Sequence, residues 1–176
     1  KKHLFLLSVF SGALLACAWP AIGGFEPFLF IGLAPLLFVE EVVYSKKMNG
    51  FYGYAFVVFS TFNILTTWWI FCVTEGIATK LLVVSAAVLV NSATMALVWY
   101  LFHFTRKRIG TKEGLISLPV YWLAFEYLHH HWELSWPWMT LGNGFAEKVS
   151  WVQWYEYTGV LGGTLWVLLV NIFIFI

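Results

Sequence analysis

Charged residues are scarce in this sequence. They make up only 11% of its 176 residues, whereas hydrophobic residues make up 61%. A water-soluble domain needs charged side chains over most of its outer surface, so this composition excludes an ordinary soluble globular protein. Several windows of about 20 residues carry no charge, and that length lets a helix cross the hydrocarbon layer. The sequence therefore predicts an integral membrane protein.

Other absences narrow the class of protein further. The apolar runs are continuous and do not alternate with polar residues, which disfavours a transmembrane barrel. The net charge is only +1 and the basic residues lie in short loops, so there is no basic groove for nucleic acid. The two cysteines, Cys17 and Cys72, lie inside apolar runs, where a thiol stays protonated. Neither is a candidate nucleophile or disulfide partner.

Six apolar runs predict an all-α, polytopic transmembrane helix bundle that occupies residues 1–176 as one domain. We place the spans at about residues 4–18, 27–44, 51–73, 81–104, 115–131 and 158–176. Pro35 lies inside the second run and predicts a kink that neighbouring helices must compensate. The last run is still apolar at Ile176, so we expect this chain to be part of a longer protein.

The first run has a second interpretation. Lys1 and Lys2, followed by a short apolar core and Leu-Leu-Ala-Cys, are also typical of a lipoprotein signal in which Cys17 is lipidated. Such a signal precedes a soluble domain, whereas here another apolar run follows within about ten residues. We therefore favour a retained first helix that pairs with the second as a hairpin.

The basic residues predict an orientation. Two of them, Lys80 and Lys148, fall on one side of the predicted bundle. Eight fall on the other side: Lys1, Lys2, Lys46, Lys47, Arg106, Lys107, Arg108 and Lys112. By the positive-inside rule the side with eight is cytoplasmic, so residues 132–157 lie on the outer face.

Residues 132–157, which we call the Trp-rich loop, hold five of the eleven tryptophans. The segment contains proline and glycine and connects two apolar runs. Indole rings are amphipathic and settle at the level of the lipid headgroups. The loop is therefore predicted to lie on the bilayer surface.

Glu126 is the ionisable residue best placed inside a predicted span. A carboxylate at the centre of a span costs about 3 kcal/mol, so this one must face the bundle, be protonated or reach the interface. It is either a polar group beside a substrate cleft or an interhelical hydrogen-bonding partner of Asn91, Asn63 or a backbone carbonyl. We favour the second interpretation.

Three consecutive histidines, His129 to His131, raise the question of a metal. Neighbouring residues on a helix point about 100° apart, so the three cannot converge on one ion. The sequence also lacks the G-x-S-x-G and H-E-x-x-H motifs, a phosphate-binding glycine loop and a Cys/His cluster. We expect no catalytic residue, no metal and no cofactor within this chain.

Several strings, in their order and spacing, resemble the membrane domain of apolipoprotein N-acyltransferases. They are S-G-A-L-L-A-C-A-W-P at 11–20, L-A-P-L-L at 33–37, F-E-Y-L at 125–128, W-P-W at 136–138 with Leu141-Gly142, Gln153, Gly159-Val160 and Val170-Asn171. Two positions depart from the family pattern. Ala21 replaces a second proline, and His129 replaces an arginine.

The resemblance implies an eight-helix protein of the bacterial inner membrane, in which seven spans precede a nitrilase-like domain outside the cytoplasm. It implies a ping-pong acyl transfer: a thiolate takes a fatty acyl chain from a glycerophospholipid, and the α-amino group of a diacylglyceryl-cysteine on a lipoprotein accepts it. The family's Glu-Lys-Cys triad lies in the nitrilase-like part and has no counterpart here.

By the same resemblance this chain holds the lipid substrates. Trp136, Pro137, Trp138 and Glu126 are then expected at the mouth of a lipid-admitting cleft. The alternative for the tryptophans is that they only fix helix depth.

Two other classes of function stay open. A small membrane transporter is expected to have discontinuous helices and charges inside the membrane. A structural helix bundle would use the Trp-rich loop only to dock a partner.

Overall fold

The computed structural model describes residues 1–72, 74–133 and 135–176. Within these ranges the chain is helical and has no strand, which confirms the predicted all-α bundle. The α-helices are α1 (Lys2–Ala18), α2 (Leu29–Gly32), α3 (Ala34–Ser45), α4 (Phe51–Thr66), α5 (Ile77–Arg108), α6 (Thr111–His129) and α7 (Tyr155–Phe175). Short 3-10 turns at Glu26–Phe28, Trp68–Cys72, Pro137–Met139, Leu141–Phe145 and Val149–Trp151 complete the fold.

Among the described residues, four segments are long and apolar enough to cross a membrane: Glu26–Ser45, Phe51–Cys72, Ile77–Arg108 and Tyr155–Phe175. α1 is shorter, and α6 carries Lys112, Glu113 and Glu126. The predicted total of six spans therefore stays a prediction. Val73, the predicted end of the third span, and Leu134 of the Trp-rich loop lie outside the described residues.

The outer surface of the bundle is apolar. Leu82 is 71% exposed, Phe173 is 75% exposed and Ile116 is 60% exposed. The centre is instead filled by Phe59, Trp99 and Trp122, whose rings are almost completely buried. A surface as apolar as this is suited to lipid contact and not to water.

α1 packs against both α4 and the α2–α3 segment. A methyl group on Gly12 would collide with the Val58 carbonyl, and one on Gly32 would collide with Leu15. The Ser11 hydroxyl donates a hydrogen bond to the Gly32 carbonyl oxygen. Small residues permit this close approach, which supplies packing where lipid weakens the hydrophobic effect between helices.

The second apolar run is broken at Leu33, just before Pro35, so the expected kink is a full break between α2 and α3. Asn171 of α7 bridges this break. Its Oδ1 accepts hydrogen bonds from Leu33 N at 2.8 Å and Ala34 N at 3.0 Å, and its Nδ2 donates to Leu29 O at 2.7 Å. The amide thus replaces the helical bond between Leu29 and Leu33 and pairs three of the backbone groups that the break would otherwise leave free.

A buried charged cluster ties α3 to α5. Arg106 forms ion pairs with Glu40 and Glu41 and lies 4.3 Å from the centroid of the Tyr44 ring. His103 Nδ1 lies 2.6 Å from Glu40 Oε1. The sequence analysis placed Arg106 in a basic loop, but α5 continues to Arg108 and buries this side chain.

Candidate functional site

A cavity of about 590 Å³ lies at the end of the bundle where α1 and α4 finish and the Trp-rich loop begins. We call it the aromatic cavity. Its walls come from three parts of the chain: Trp19 and Pro20 after α1, Thr66, Thr67 and Trp69 at the end of α4, and Trp136, Trp138 and Met139 in the loop. Two of the residues expected at a cleft mouth, Trp136 and Trp138, are therefore brought together.

Aromatic packing shapes this cavity. The Trp69 and Trp136 rings are stacked, with centroids 6.4 Å apart and planes 10° apart. Trp138 is 62% exposed at the rim. Pro137 lies between Trp136 and Trp138 and begins the 3-10 turn that contains Trp138, and its fixed φ suits that first position. Asn143 Nδ2 donates to Pro137 O at 2.8 Å and closes the turn.

The polar groups at the cavity are few. The hydroxyls of Thr66 and Thr67 donate within α4, to Phe62 O and Asn63 O at 2.7 Å each. Trp136 Nε1 is buried and has no hydrogen-bond partner among the described residues. An unpartnered buried donor is costly, so an acceptor that reached this N–H would be bound favourably.

Glu126 does not line the aromatic cavity. It is only 3% exposed and lies beneath the loop. Oε1 accepts hydrogen bonds from Trp122 Nε1 and Leu141 N at 2.9 Å each, and Oε2 accepts one from Thr164 Oγ1 at 2.7 Å. The carboxylate is thus an interhelical hydrogen-bonding partner, but Asn91 and Asn63 are not its partners.

The segment Leu141-Gly142 is fixed by hydrogen bonds that continue the Glu126 network. Gly142 N donates to Thr164 Oγ1 at 3.0 Å, and the Tyr155 hydroxyl donates to Gly142 O at 2.9 Å. A methyl group on Gly142 would collide with the Val160 carbonyl. Sequence reasoning missed Thr164 and Tyr155, because a single hydroxyl in an apolar run does not reveal its partner.

The sequence of this chain matches a known protein family. Residues 11–173 match the family model described as the apolipoprotein N-acyltransferase N-terminal domain. The chain belongs to this family. The resemblance drawn from its sequence strings is confirmed.

Two relatives of this chain carry the name apolipoprotein N-acyltransferase. The protein from Chlorobaculum tepidum is 30% identical over 175 residues, which cover 97% of this chain and 31% of the relative. The protein from Geobacter metallireducens is 29% identical over 184 residues, covering 97% of this chain and 33% of the relative. The chain therefore spans about a third of the length of these relatives. No solved structure matches it significantly.

Two pairs of the strings that carried the resemblance contact each other in this chain. The string at 125–128 supplies Glu126, which binds Leu141 of the string that follows Trp136 to Trp138. The string at 33–37 supplies Leu33, which binds Asn171 of the last string. These strings thus form the supports of the Trp-rich end and of the helix break.

The three histidines of this domain have separate partners. His129, where the family usually has arginine, donates from Nε2 to Asn91 Oδ1 at 3.0 Å. His130 Nε2 lies 2.7 Å from Thr140 Oγ1, and His131 Nδ1 donates to Tyr127 O at 2.6 Å. Among the described residues no group of three or more His, Cys, Asp or Glu is arranged to hold a metal ion.

Proposed function

We propose that this chain is the membrane part of an N-acyltransferase of the bacterial inner membrane. The complete enzyme would move a fatty acyl chain from a glycerophospholipid to the α-amino group of the N-terminal diacylglyceryl-cysteine of lipoproteins. The family match and the names of the two relatives support this assignment. The thioester chemistry and the Glu-Lys-Cys triad belong, in this proposal, to a nitrilase-like part outside residues 1–176.

The role proposed for this part is to hold the lipid substrates and present their ester groups. The aromatic cavity is the observation that carries this role. Its indole walls combine apolar faces, which suit acyl chains, with the unpartnered Nε1–H of Trp136. That N–H would donate to a carbonyl oxygen of a glycerol ester, while Trp138 at the rim would meet the headgroup region. Trp136, Pro137 and Trp138 remain our candidate substrate-binding residues, and Glu126 supports them from beneath.

The proposed orientation places the N-terminus in the cytoplasm and the Trp-rich loop in the periplasm. The aromatic cavity would then open on the side where lipoproteins mature. Lys107, Arg108 and Lys112 lie at the opposite end, around the turn between α5 and α6. This distribution agrees with the positive-inside rule.

The transporter alternative predicts a discontinuous helix that offers free backbone groups to a substrate. α2 and α3 are discontinuous, but Asn171 occupies the backbone groups at the break. The break therefore favours a structural role over a transport site. Nothing in the described residues favours a purely structural bundle.

Acyl transfer by the full-length protein tests the proposed function. A diacylated lipopeptide would be incubated with the protein and a phospholipid, and mass spectrometry would follow the added acyl chain. We expect a gain in mass equal to one acyl group and loss of one chain from the phospholipid. A lipopeptide of unchanged mass, with folded protein present, would contradict the enzyme assignment.

Two variants test the aromatic cavity separately. Trp136→Phe keeps an aromatic ring but removes the donor, so KM for the phospholipid should rise about fivefold, as expected for one lost hydrogen bond. Trp151→Ala is the control, because this exposed indole lies in the same loop but does not line the cavity. Equal KM values for the wild type and Trp136→Phe would exclude the Trp136 donor from substrate binding and leave the enzyme assignment intact.

A further inference from the structure

A second cavity, of about 430 Å³, lies at the opposite end of the bundle from the aromatic cavity. It is formed between the start of α4 and the last turns of α5, and we call it the basic cavity. The residues that matter for its chemistry are Gly50, Phe51, Tyr100, His103, Lys107 and Arg108.

The charge at this cavity is positive and unbalanced. No carboxylate lines it, and within the described part of the chain neither Lys107 nor Arg108 has a carboxylate within ion-pair distance. Two cations side by side at the end of one helix favour an anionic ligand.

His103 adds a buried polar side chain. The residue is only 5% exposed, and its Nδ1 is bound to Glu40. Nε2, on the far side of the ring, has no hydrogen-bond partner among the described residues. The cluster behind it holds two carboxylates, Glu40 and Glu41, and one guanidinium, Arg106. A His103 side chain protonated on both nitrogens would donate from Nε2 to an anion in the cavity.

The start of α4 contributes backbone donors. Gly50 precedes the helix with a φ of +93°, and no side chain caps the free amides of the first turn. Such amides, together with the positive end of the helix dipole, favour a phosphate group. The Phe51 ring packs on the His103 imidazole, with centroids 4.9 Å apart, and keeps it in place beside these amides.

The outer wall of the basic cavity is aromatic and exposed. Tyr100 lines it, and so does Phe104, one turn further along α5; both side chains are more than 40% exposed. A ligand bound there would meet cations at one end and apolar rings at the other. We propose that the basic cavity binds the phosphate of an anionic glycerophospholipid from the leaflet on this side, with its acyl chains along Tyr100 and Phe104.

Native mass spectrometry of the full-length protein in detergent tests this site, with phosphatidylglycerol as the probe and phosphatidylcholine of the same acyl chains as the zwitterionic comparison. The test variant is Lys107→Gln/Arg108→Gln. The matched control is Lys46→Gln/Lys112→Gln, which removes two exposed charges at the same end that do not line the cavity. Phospholipid that binds in the aromatic cavity should contribute equally to the binding measured for both double variants, because neither variant changes that cavity.

We expect phosphatidylglycerol to bind more tightly than phosphatidylcholine, and the test variant to lose about fivefold in affinity for each charge removed. The control should stay within about twofold of the wild type. His103→Asn places an amide where Nδ1 lies, so it keeps a donor to Glu40 but removes Nε2. This variant should also bind phosphatidylglycerol about fivefold more weakly. If His103→Asn fails to fold, the comparison of Lys107→Gln/Arg108→Gln with its control still tests the proposal.

Equal affinities of the two double variants for phosphatidylglycerol would overturn the proposal. So would equal binding of phosphatidylcholine by the wild type. Inorganic phosphate provides the last arm: if it displaces phosphatidylglycerol and itself binds as tightly, the site takes a free anion and the lipid assignment is wrong.

Discussion

Glu126 Oε2 accepts a hydrogen bond of 2.7 Å from Thr164 Oγ1 and thereby joins α6 to α7 beneath the Trp-rich loop. The other oxygen of the same carboxylate accepts from Leu141 N. One side chain therefore fixes the separation of two helices and the height of the loop above them. In an apolar interior such a network stabilises only when every member is paired.

Replacing Glu126 by leucine should destabilise the protein strongly. Glu126→Leu leaves Trp122 Nε1, Leu141 N and Thr164 Oγ1 without their acceptor, and we expect a loss of about 3 kcal/mol or more. Glu126→Gln should cost less, since an amide oxygen can still accept from Leu141 N. Thermal unfolding of the full-length protein in detergent, followed by tryptophan fluorescence, measures both. A Glu126→Leu midpoint equal to that of the wild type would show that the carboxylate is not a structural bridge.

Asn171 should be essential for the broken helix. Asn171→Leu keeps the branched shape of the side chain but leaves Leu33 N, Ala34 N and Leu29 O unpaired, so we expect a loss of about 3 kcal/mol in the free energy of unfolding. The exposed Asn49 provides the control, as Asn49→Leu should have little effect.

The same break can be tested by restoring the helix. Pro35→Ala returns a backbone N–H and removes the ring that obstructs a continuous helix through Leu33. The double variant Pro35→Ala/Asn171→Leu should therefore be more stable than Asn171→Leu alone. Additive effects of the two substitutions would mean that Asn171 does not serve the proline break.

Much of the architecture could be predicted from the sequence, because the hydrocarbon layer demands long apolar runs and the turns between them are polar. α4 begins at Phe51, as the pattern predicted, and the proline in the second run marks the break. Trp136 and Trp138, which line the aromatic cavity, could be singled out because the W-P-W pattern is local, and their role in substrate binding stays a prediction. Hydrogen bonds between residues far apart in the sequence could not be predicted: Leu33 and Asn171, which form one, are separated by 138 positions.

Arg106 illustrates a different limit of sequence reasoning. Three consecutive basic residues are typical of a cytoplasmic loop, so the pattern favoured a loop there. Whether α5 continues through them depends on the two glutamates of α3, which neutralise Arg106 and allow its burial. Glu40 and Glu41 carry no signal of that pairing in their own surroundings.

The Arg106 pairing gives a further prediction. Arg106→Gln leaves the completely buried Glu40 without its guanidinium, and breaking a buried pair from one side costs about 3–5 kcal/mol. Arg108→Gln is the matched control, since the Arg108 side chain is exposed two residues away. The double variant Glu40→Gln/Arg106→Gln should recover part of the lost stability, because it also removes the carboxylate that Arg106→Gln leaves without its guanidinium. Equal unfolding midpoints for Arg106→Gln and Arg108→Gln would contradict a stabilising buried pair.

The proposed orientation can be tested by cysteine labelling in intact cells. The native thiols of Cys17 and Cys72 are exposed on the protein surface, so the background is Cys17→Ser/Cys72→Ser. In it, Ser135→Cys and Glu147→Cys place exposed thiols in the Trp-rich loop, and Lys46→Cys and Lys112→Cys place them at the basic end. A membrane-impermeant maleimide that passes the outer membrane should label the two loop positions directly. It should label the other two only after the inner membrane is opened.

The four reporter positions are suitable because their native side chains are exposed. Met139 and Gly144 also lie in the Trp-rich loop, but both are buried and would report poor access from either side. Each reporter at one end is paired with a reporter at the other, so a leaky membrane would label all four and be recognised. Direct labelling at Lys46→Cys and Lys112→Cys, with protection at Ser135→Cys and Glu147→Cys, would show that the bundle has the opposite orientation in the membrane. The aromatic cavity would then open to the cytoplasm, where it could not meet a lipoprotein on the outer side of the membrane.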